Sequence, residues 1–451
     1  MDALLYLLGL LAAAVGIGAS IGLHEVGHLV PAKRFGVKVT QYMVGFGPTI
    51  WSRRRGETEY GVKAIPLGGY IRMIGMYPPP LGAPVGAVGR GTTGRFQVLA
   101  EEARAAAWEE VAPGDEDRVF FRKSVPRRIG IMLGGPSMNL FLSVVFFTIL
   151  LVGIGVPTAT TTIARVYPCV PPAMASEAAA LEALDAPSAT DETCPADAPA
   201  SPAALVGIQA GDEIVAIDGA AVTDWTQLTD VTRSGPGDVV VLGVRSDGTT
   251  REVPVTLASA YRPTLDADGL PTDQVAVSGY LGVAPEARYV AQPVSTVPTA
   301  MWDIAVRSAR ALVTLPVRVY ELARDMVTGQ PRDLESPVSV IGVGRISGEV
   351  VAADEPVKAK AAMLISLMAG LNLFLFLFNL IPLLPLDGGH VAGAAWEGLR
   401  RRVALWRGQP DPGPVDVSKA LPLAYAVGIT LIAMSSVVIL ADVINPISLY
   451  G

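Results

Sequence analysis

Four stretches without a charged side chain set the pattern of this chain: residues 3–23, 129–156, 361–386 and 420–441, of 21, 28, 26 and 22 residues. About 20 apolar residues cross the hydrocarbon core of a bilayer as a helix, so each stretch is predicted to span it. The first is longer than a signal-peptide core, has no basic segment ahead of it and is followed by Lys33 and Arg34. It is therefore expected to be retained. Elsewhere the period changes. Residues 39–44 and 70–76 alternate or carry β-forming side chains, with Gly68 and Gly69 as a turn. Further strands are predicted at 214–217, 239–244 and 252–257, with turns at Gly207–Gly211–Asp212 and Asp218–Gly219 and a closing run at 281–283. Residues 301–327 place Met301, Ile304, Leu312, Leu315, Val319, Leu322 and Met326 mostly at three- and four-residue steps, with Arg307, Arg310, Arg318 and Arg324 between them. That is an amphipathic helix for the outer membrane interface or, alternatively, for packing on a soluble domain.

The expected divisions are a first span (1–36), a β-loop (37–77), an insert (78–125), a second span (126–156), an α+β domain (157–290), an amphipathic segment (291–360), a third span (361–390), a loop (391–418) and a fourth span (419–451). Residues 78–118 are Gly/Ala/Pro-rich and then mixed in charge, and 170–203 are rich in Ala, Pro and acids without periodicity. Both are expected to be mobile.

Composition agrees with a membrane protein. Of 451 residues 51% are hydrophobic and 17% charged, against about 25% charged in soluble domains. Basic residues favour the cytoplasmic side. Lys33, Arg34, Lys38, Arg53–Arg55, Arg122, Lys123, Arg127 and Arg128 lie between spans one and two, and Arg400–Arg402 and Arg407 between three and four. Both loops are thus expected to be cytoplasmic, with both termini and 157–360 outside. That outer segment holds 14 Lys and Arg against 26 Asp and Glu, an acidic excess larger than the net charge of −7, so the rest of the chain is net basic. It also holds the only two cysteines, Cys169 and Cys194. On an oxidising side they can close a disulfide; the alternative is two unpaired small residues. The basic clusters sit beside spans, so no nucleic-acid surface is expected.

Only 3 histidines occur. Two of them, His24 and His28, form His-Glu-Val-Gly-His with Glu25 at the end of the first apolar run. Positions four apart share a helix face, so both imidazoles can reach one ion, with Glu25 beside it as a general base for water. A catalytic zinc takes three protein ligands. No third histidine follows His28 closely, and the best remaining candidate is Asp387, after Pro382 and Pro385, which cannot continue a regular helix, and before Gly388 and Gly389, which permit a tight turn. An acid where a membrane helix breaks is a functional candidate; alternatively Asp387 only marks a cytoplasmic helix end.

These residues resemble a known family. His24-Glu-Val-Gly-His28, Gly134-Gly-Pro-Ser-Met-Asn139 and Asn379 through Leu386-Asp-Gly-Gly-His390 look like the site-2 protease family of intramembrane zinc metalloproteases. The layout is similar to its bacterial branch, the RseP type and its actinobacterial relatives. The resemblance implies a multi-pass α-helical membrane protein with four transmembrane helices, a cytoplasmic-side membrane-associated β-loop and one extracytoplasmic PDZ-like α+β domain, because 201–219 resembles a PDZ element. It implies one zinc ion per chain held by His24, His28 and Asp387, with Glu25 activating water, in a cell-membrane enzyme whose site lies near the cytoplasmic face. Asn372 and Asn379 correspond to asparagines that hold the substrate backbone; alternatively they make hydrogen bonds between helices. The loop containing Gly68, Gly69 and Tyr70 corresponds to one that dips toward the zinc and receives an unwound substrate by strand addition, although a small sheet without substrate contact fits the residues too. His390 has no metal role in the family and is read as a supporting residue. Implied substrates are single-span membrane proteins, such as anti-sigma factors trimmed by a first protease, or signal-peptide remnants. A transporter or an inactive PDZ-like membrane scaffold are the alternatives. No inverted repeat supports the first, and the intact His24, Glu25, His28 and Asp387 oppose the second.

Overall fold

The computed structural model describes residues 2–78, 105, 107–185, 194–195, 198–265, 271–330, 332–333 and 336–447. The chain divides into two compact units, 154–292 and the residues on either side of it. Most of the insert and part of the excursion around Cys194 lie outside the described residues.

In the flanking unit, four helices are long and apolar enough to cross a membrane: Ala3–Arg34, Val125–Ile154, Val357–Asn379 and Val417–Ile444. Their packing is that of lipid-facing helices. Leu4, Leu7 and Leu11 of the first and Leu423, Ile429 and Ile432 of the fourth point outward, the reverse of a soluble bundle. The helices approach each other at small residues. A Cβ added at Gly27 would lie 2.3 Å from the Gly134 carbonyl oxygen, so the first two spans touch backbone to backbone. The second and third are tied by Ser143 Oγ donating to the Ala369 carbonyl at 3.0 Å.

The first helix carries the His-Glu motif and runs to Arg34, whereas the expectations for the third span and the stretch after it change. The third ends at Asn379, and after a turn that contains Pro382 and Pro385, which lack backbone donors, Asp387–Trp406 forms a new helix. The stretch 391–418, expected as a loop, is therefore helical in its first half. Gly388 and Gly389 do not form the turn themselves. They lie in the first turn of that helix, where a Cβ at Gly388 would be 2.3 Å from the Ile381 carbonyl and one at Gly389 2.6 Å from the Leu384 nitrogen. The new helix is fixed by Glu397, which is fully enclosed. It accepts from Arg128 of the second span at 2.5 Å, pairs with Arg401 at 3.1 Å and accepts from the Val415 amide at 2.9 Å.

The amphipathic segment is a helix, Thr296–Thr328. Leu315, Val319, Leu322 and Met326 cluster with Met434, Val437, Val438 and Ala441 of the fourth span. An apolar stripe reveals that a face is covered, but not by what.

Strands β1 (Val39–Arg55) and β2 (Thr58–Met73) follow the first span. Residues 41–44 pair with 69–72 on one side and with 59–62 on the other, while 59–62 also pair with 51–54. The result is a four-run sheet with 69–73 at one edge. Gly68 and Gly69, expected as a turn, lie inside β2; the reversal is at 56–57. Gly68 has φ +142°, and a Cβ there would be 2.5 Å from the Phe46 ring, so only glycine fits. The sheet is tied to the residues before the second span by Lys38 on Asp115 at 2.5 Å and Arg118 on Glu57 at 2.7 Å. These cations hold both carboxyls below their ordinary range.

The other unit contains a sheet in the order β10 (Val283–Val290), β3 (Val156–Val166), β4 (Glu213–Ile217), β6 (Val239–Ser246), β7 (Thr249–Thr256), with β5 (Ala220–Ala221) on β4. A separate hairpin joins β8 (Ala258–Leu265) and β9 (Pro271–Tyr280). Its core gathers Ile163, Ile214, Leu228, Leu242, Val244, Val255 and Leu257. Cys169 and Cys194 are bonded. Part of the stretch expected to lack structure is helix, Glu177–Asp185.

Removing one partner of a buried ion pair strands the other charge, at about 3–5 kcal/mol. Glu397→Ala should therefore lower the thermal midpoint of the detergent-solubilised chain, and Arg128→Met combined with Glu397→Leu should recover much of the loss. An unchanged midpoint for Glu397→Ala would show that the Asp387 helix is held by other contacts.

Candidate metal centre

The first helix presents His24 and His28 on one face, one turn apart. Asp387 reaches them from the first turn of its own helix, where the dipole favours an anion. His24 Nε2 and His28 Nε2 are 3.2 Å apart, and Asp387 Oδ2 lies 3.4 Å from the first and 3.3 Å from the second. These three atoms are the one His/Cys/Asp/Glu cluster of metal-ligand spacing among the described residues. The triangle fits zinc. For bonds of about 2.0–2.1 Å, tetrahedral ligands stand about 3.3–3.4 Å from one another.

The hydrogen bonding points the same way. His28 Nδ1 lies 2.8 Å from the Ile131 carbonyl, which can only accept. The ring proton is thus on Nδ1, and the Nε2 lone pair faces Asp387. Asp387 Oδ2 is buried without a hydrogen-bond partner, a cost that a cation between the three atoms removes. The second span leaves room for the rings through Gly135, where a Cβ would be 2.2 Å from His28 Nε2 and 2.6 Å from His24 Nε2.

Glu25 is buried beside this cluster. A Cβ at Gly69 would be 2.9 Å from Glu25 Cγ. The edge run of the sheet therefore lies directly against the acid. Tyr42 steadies this docking by donating its hydroxyl to the Gly22 carbonyl of the first span at 2.8 Å.

The other expected residues separate. Gly69 reaches the centre, whereas Gly68 lies against Phe46 and Tyr70 stacks on the Phe46 ring. Asn372 is 0% exposed, and its Nδ2 donates to Ser20 Oγ of the first span at 3.0 Å. This bond joins the third span to the first, and Asn372 Oδ1 is buried without a hydrogen-bond partner. Asn379 is only partly buried, and its Nδ2 donates to its own helix at Leu375. His390 follows one turn after Asp387 and is not among the three clustered groups. Sequence reasoning missed Gly135 and Asn139 as site residues. Asn139 lies 3.1 Å from His24 Nδ1, and the only prior signal was its place in the Gly-Gly-Pro-Ser-Met-Asn run.

Gly135→Ala should displace both imidazoles. Metal analysis of the purified variant is expected to find far less than one zinc per chain. A full equivalent would mean that the rings can move without losing the ion.

The comparisons with known proteins agree with this geometry. The profile of peptidase family M50 matches residues 12–409. Zinc metalloprotease Rip1 of Mycobacterium tuberculosis strain H37Rv is 33% identical over 99% of this chain and 100% of its own length. Zinc metalloprotease RasP of Geobacillus kaustophilus is 24% identical over 94% of this chain and 95% of its own length. Regulator of sigma-E protease RseP of Salmonella typhimurium is 25% identical over 87% of this chain and 91% of its own length. With a family match over most of the chain and a relative aligned end to end, this multi-pass membrane protein belongs to peptidase family M50 and is a zinc metalloprotease of the site-2 type.

Proposed function

We propose that His24, His28 and Asp387 hold the zinc ion, and that Glu25 is the general base and acid of an endopeptidase that cuts single-span membrane proteins within or near the bilayer. The observation that carries this reading is the triangle of 3.2–3.4 Å between the three ligand atoms, with Glu25 buried alongside. Bound zinc supplies Lewis-acid polarisation of the scissile carbonyl and of water. Glu25 takes a proton from the attacking water and returns it to the leaving amide nitrogen.

A peptide bond within a transmembrane helix is shielded by its own turn, so the substrate must unwind before attack. The edge run 69–73 of β2, against Glu25, receives the extended segment by strand addition. Tyr70 flanks that segment, and Asn379 meets its backbone. Unit 154–292 is a PDZ-like domain on the extracytoplasmic side together with both termini, and the metal centre lies toward the cytoplasmic face of the cell membrane. The basic residues before the second span and after the third support this sidedness, and the Cys169–Cys194 bond fits an oxidising compartment. Substrates are membrane-anchored proteins such as anti-sigma factors or signal-peptide remnants, in keeping with the relative named as a regulator of sigma-E.

Glu25→Gln should bind zinc normally and lose cleavage of a membrane-anchored reporter by at least about 10²-fold. Cleavage at the wild-type rate would remove Glu25 from the chemistry. Asp387→Ala should fall well below one zinc per chain in the same preparation, whereas full occupancy would assign the third ligand elsewhere.

A further inference from the structure

We propose that Asn139 positions His24 for zinc. Its side-chain carbonyl accepts the His24 Nδ1–H and keeps the Nε2 lone pair aimed at the point where His28 and Asp387 converge. This rests on the reading of His24 as a ligand.

The two histidines face different partners. His28 Nδ1 meets a main-chain carbonyl, which admits one tautomer. His24 Nδ1 meets the Asn139 amide at 3.1 Å, and an amide can present either its NH₂ or its oxygen. With Nδ2 toward the ring, Nδ1 must accept, and the ring proton sits on Nε2, pointing at His28 and Asp387. With Oδ1 toward the ring, the proton sits on Nδ1 and Nε2 is free to bind a metal. Only the second arrangement serves zinc. The two amide orientations have the same shape and differ by a half-turn about the terminal bond. As placed, Nδ2 faces the ring while Asn139 Oδ1 is buried without a partner. The half-turn gives that oxygen the His24 proton to accept.

The placement is specific. Asn139 is 1% exposed, so bulk water does not compete for the imidazole. Ile131, Gly135 and Asn139 are spaced by four residues along one face of the second span. They offer in turn an acceptor for His28, clearance for both rings and the amide for His24. The first span carries its histidines at the matching spacing, and the Gly27–Gly134 contact fixes the register between the two helices. A residue that served only to pack the helices would not need a polar end turned to a ring nitrogen.

The test uses the full-length chain in lipid nanodiscs, with zinc as the probe and the apparent Kd read by chelator competition. Asn139→Leu, of similar size but without an acceptor, should weaken zinc by about 10–100-fold and leave the metal-free thermal midpoint unchanged. Asn139→Asp, which only accepts, should bind zinc at least as tightly as the wild type. Wild-type affinity in Asn139→Leu, or an equal loss in both variants, would overturn the proposal. Should Asn139→Leu fail to accumulate, Asn139→Asp decides alone: binding at or below the wild-type Kd supports the role, and a tenfold weakening refutes it. His24→Ala in parallel separates the two claims. If it leaves zinc affinity unchanged, the ligand assignment itself fails; if only His24→Ala weakens zinc, Asn139 has no part in positioning it.

Discussion

Two imidazole nitrogens and a carboxylate oxygen meet within 3.4 Å of one another inside a bundle of membrane-spanning helices, and this convergence constrains everything around it. Such a group is costly in an apolar surrounding unless a cation joins it and its far sides are hydrogen-bonded. It needs the first span to present residues 24 and 28 on one face, and the second to come close enough for Ile131 and Asn139 to meet the rings. The backbone contact at Gly27 and Gly134 gives that closeness, and Gly135 gives the clearance. Asp387 must arrive from a third direction, which the turn after Asn379 and the buried Arg128–Glu397 pair secure.

The same geometry explains why a sheet lies against a membrane helix. On the proposed reading, hydrolysis of a peptide bond buried in a helix first requires an extended backbone, and the strand edge beside Glu25 offers hydrogen bonds in place of the helical ones. The edge lies within van der Waals reach of Glu25 because Gly69 has no side chain. On the proposed reading, binding and chemistry are coupled through this close backbone approach at Gly69.

Much of this was legible in the sequence where signals are local. The spans follow from charge-free length, and the His-Glu motif from the four-residue period of a helix. Asp387 was reached by elimination, because its partners lie more than 350 residues away. Glycines misled twice: Gly68–Gly69 and Gly388–Gly389 read as turns, whereas each pair serves close approach within regular structure. The helix Asp387–Trp406 was hidden by its run of small residues and arginines, although an acid in its first turn is a start signal. Asn372 and Asn139 show the opposite limit. The sequence places both on helices, but only the packing shows that Asn372 meets Ser20 and Asn139 meets His24.

X-ray absorption at the zinc edge of the purified full-length protein tests the central claim most directly. The account requires two imidazole nitrogens and one carboxylate oxygen at about 2.0–2.1 Å, with no sulfur, since both cysteines are bonded to each other. With 3 histidines in the chain, a two-imidazole signal that persists in His390→Ala and falls to one imidazole in His24→Ala and in His28→Ala identifies the ligands. A spectrum with a sulfur shell, or one that loses an imidazole in His390→Ala, would contradict it.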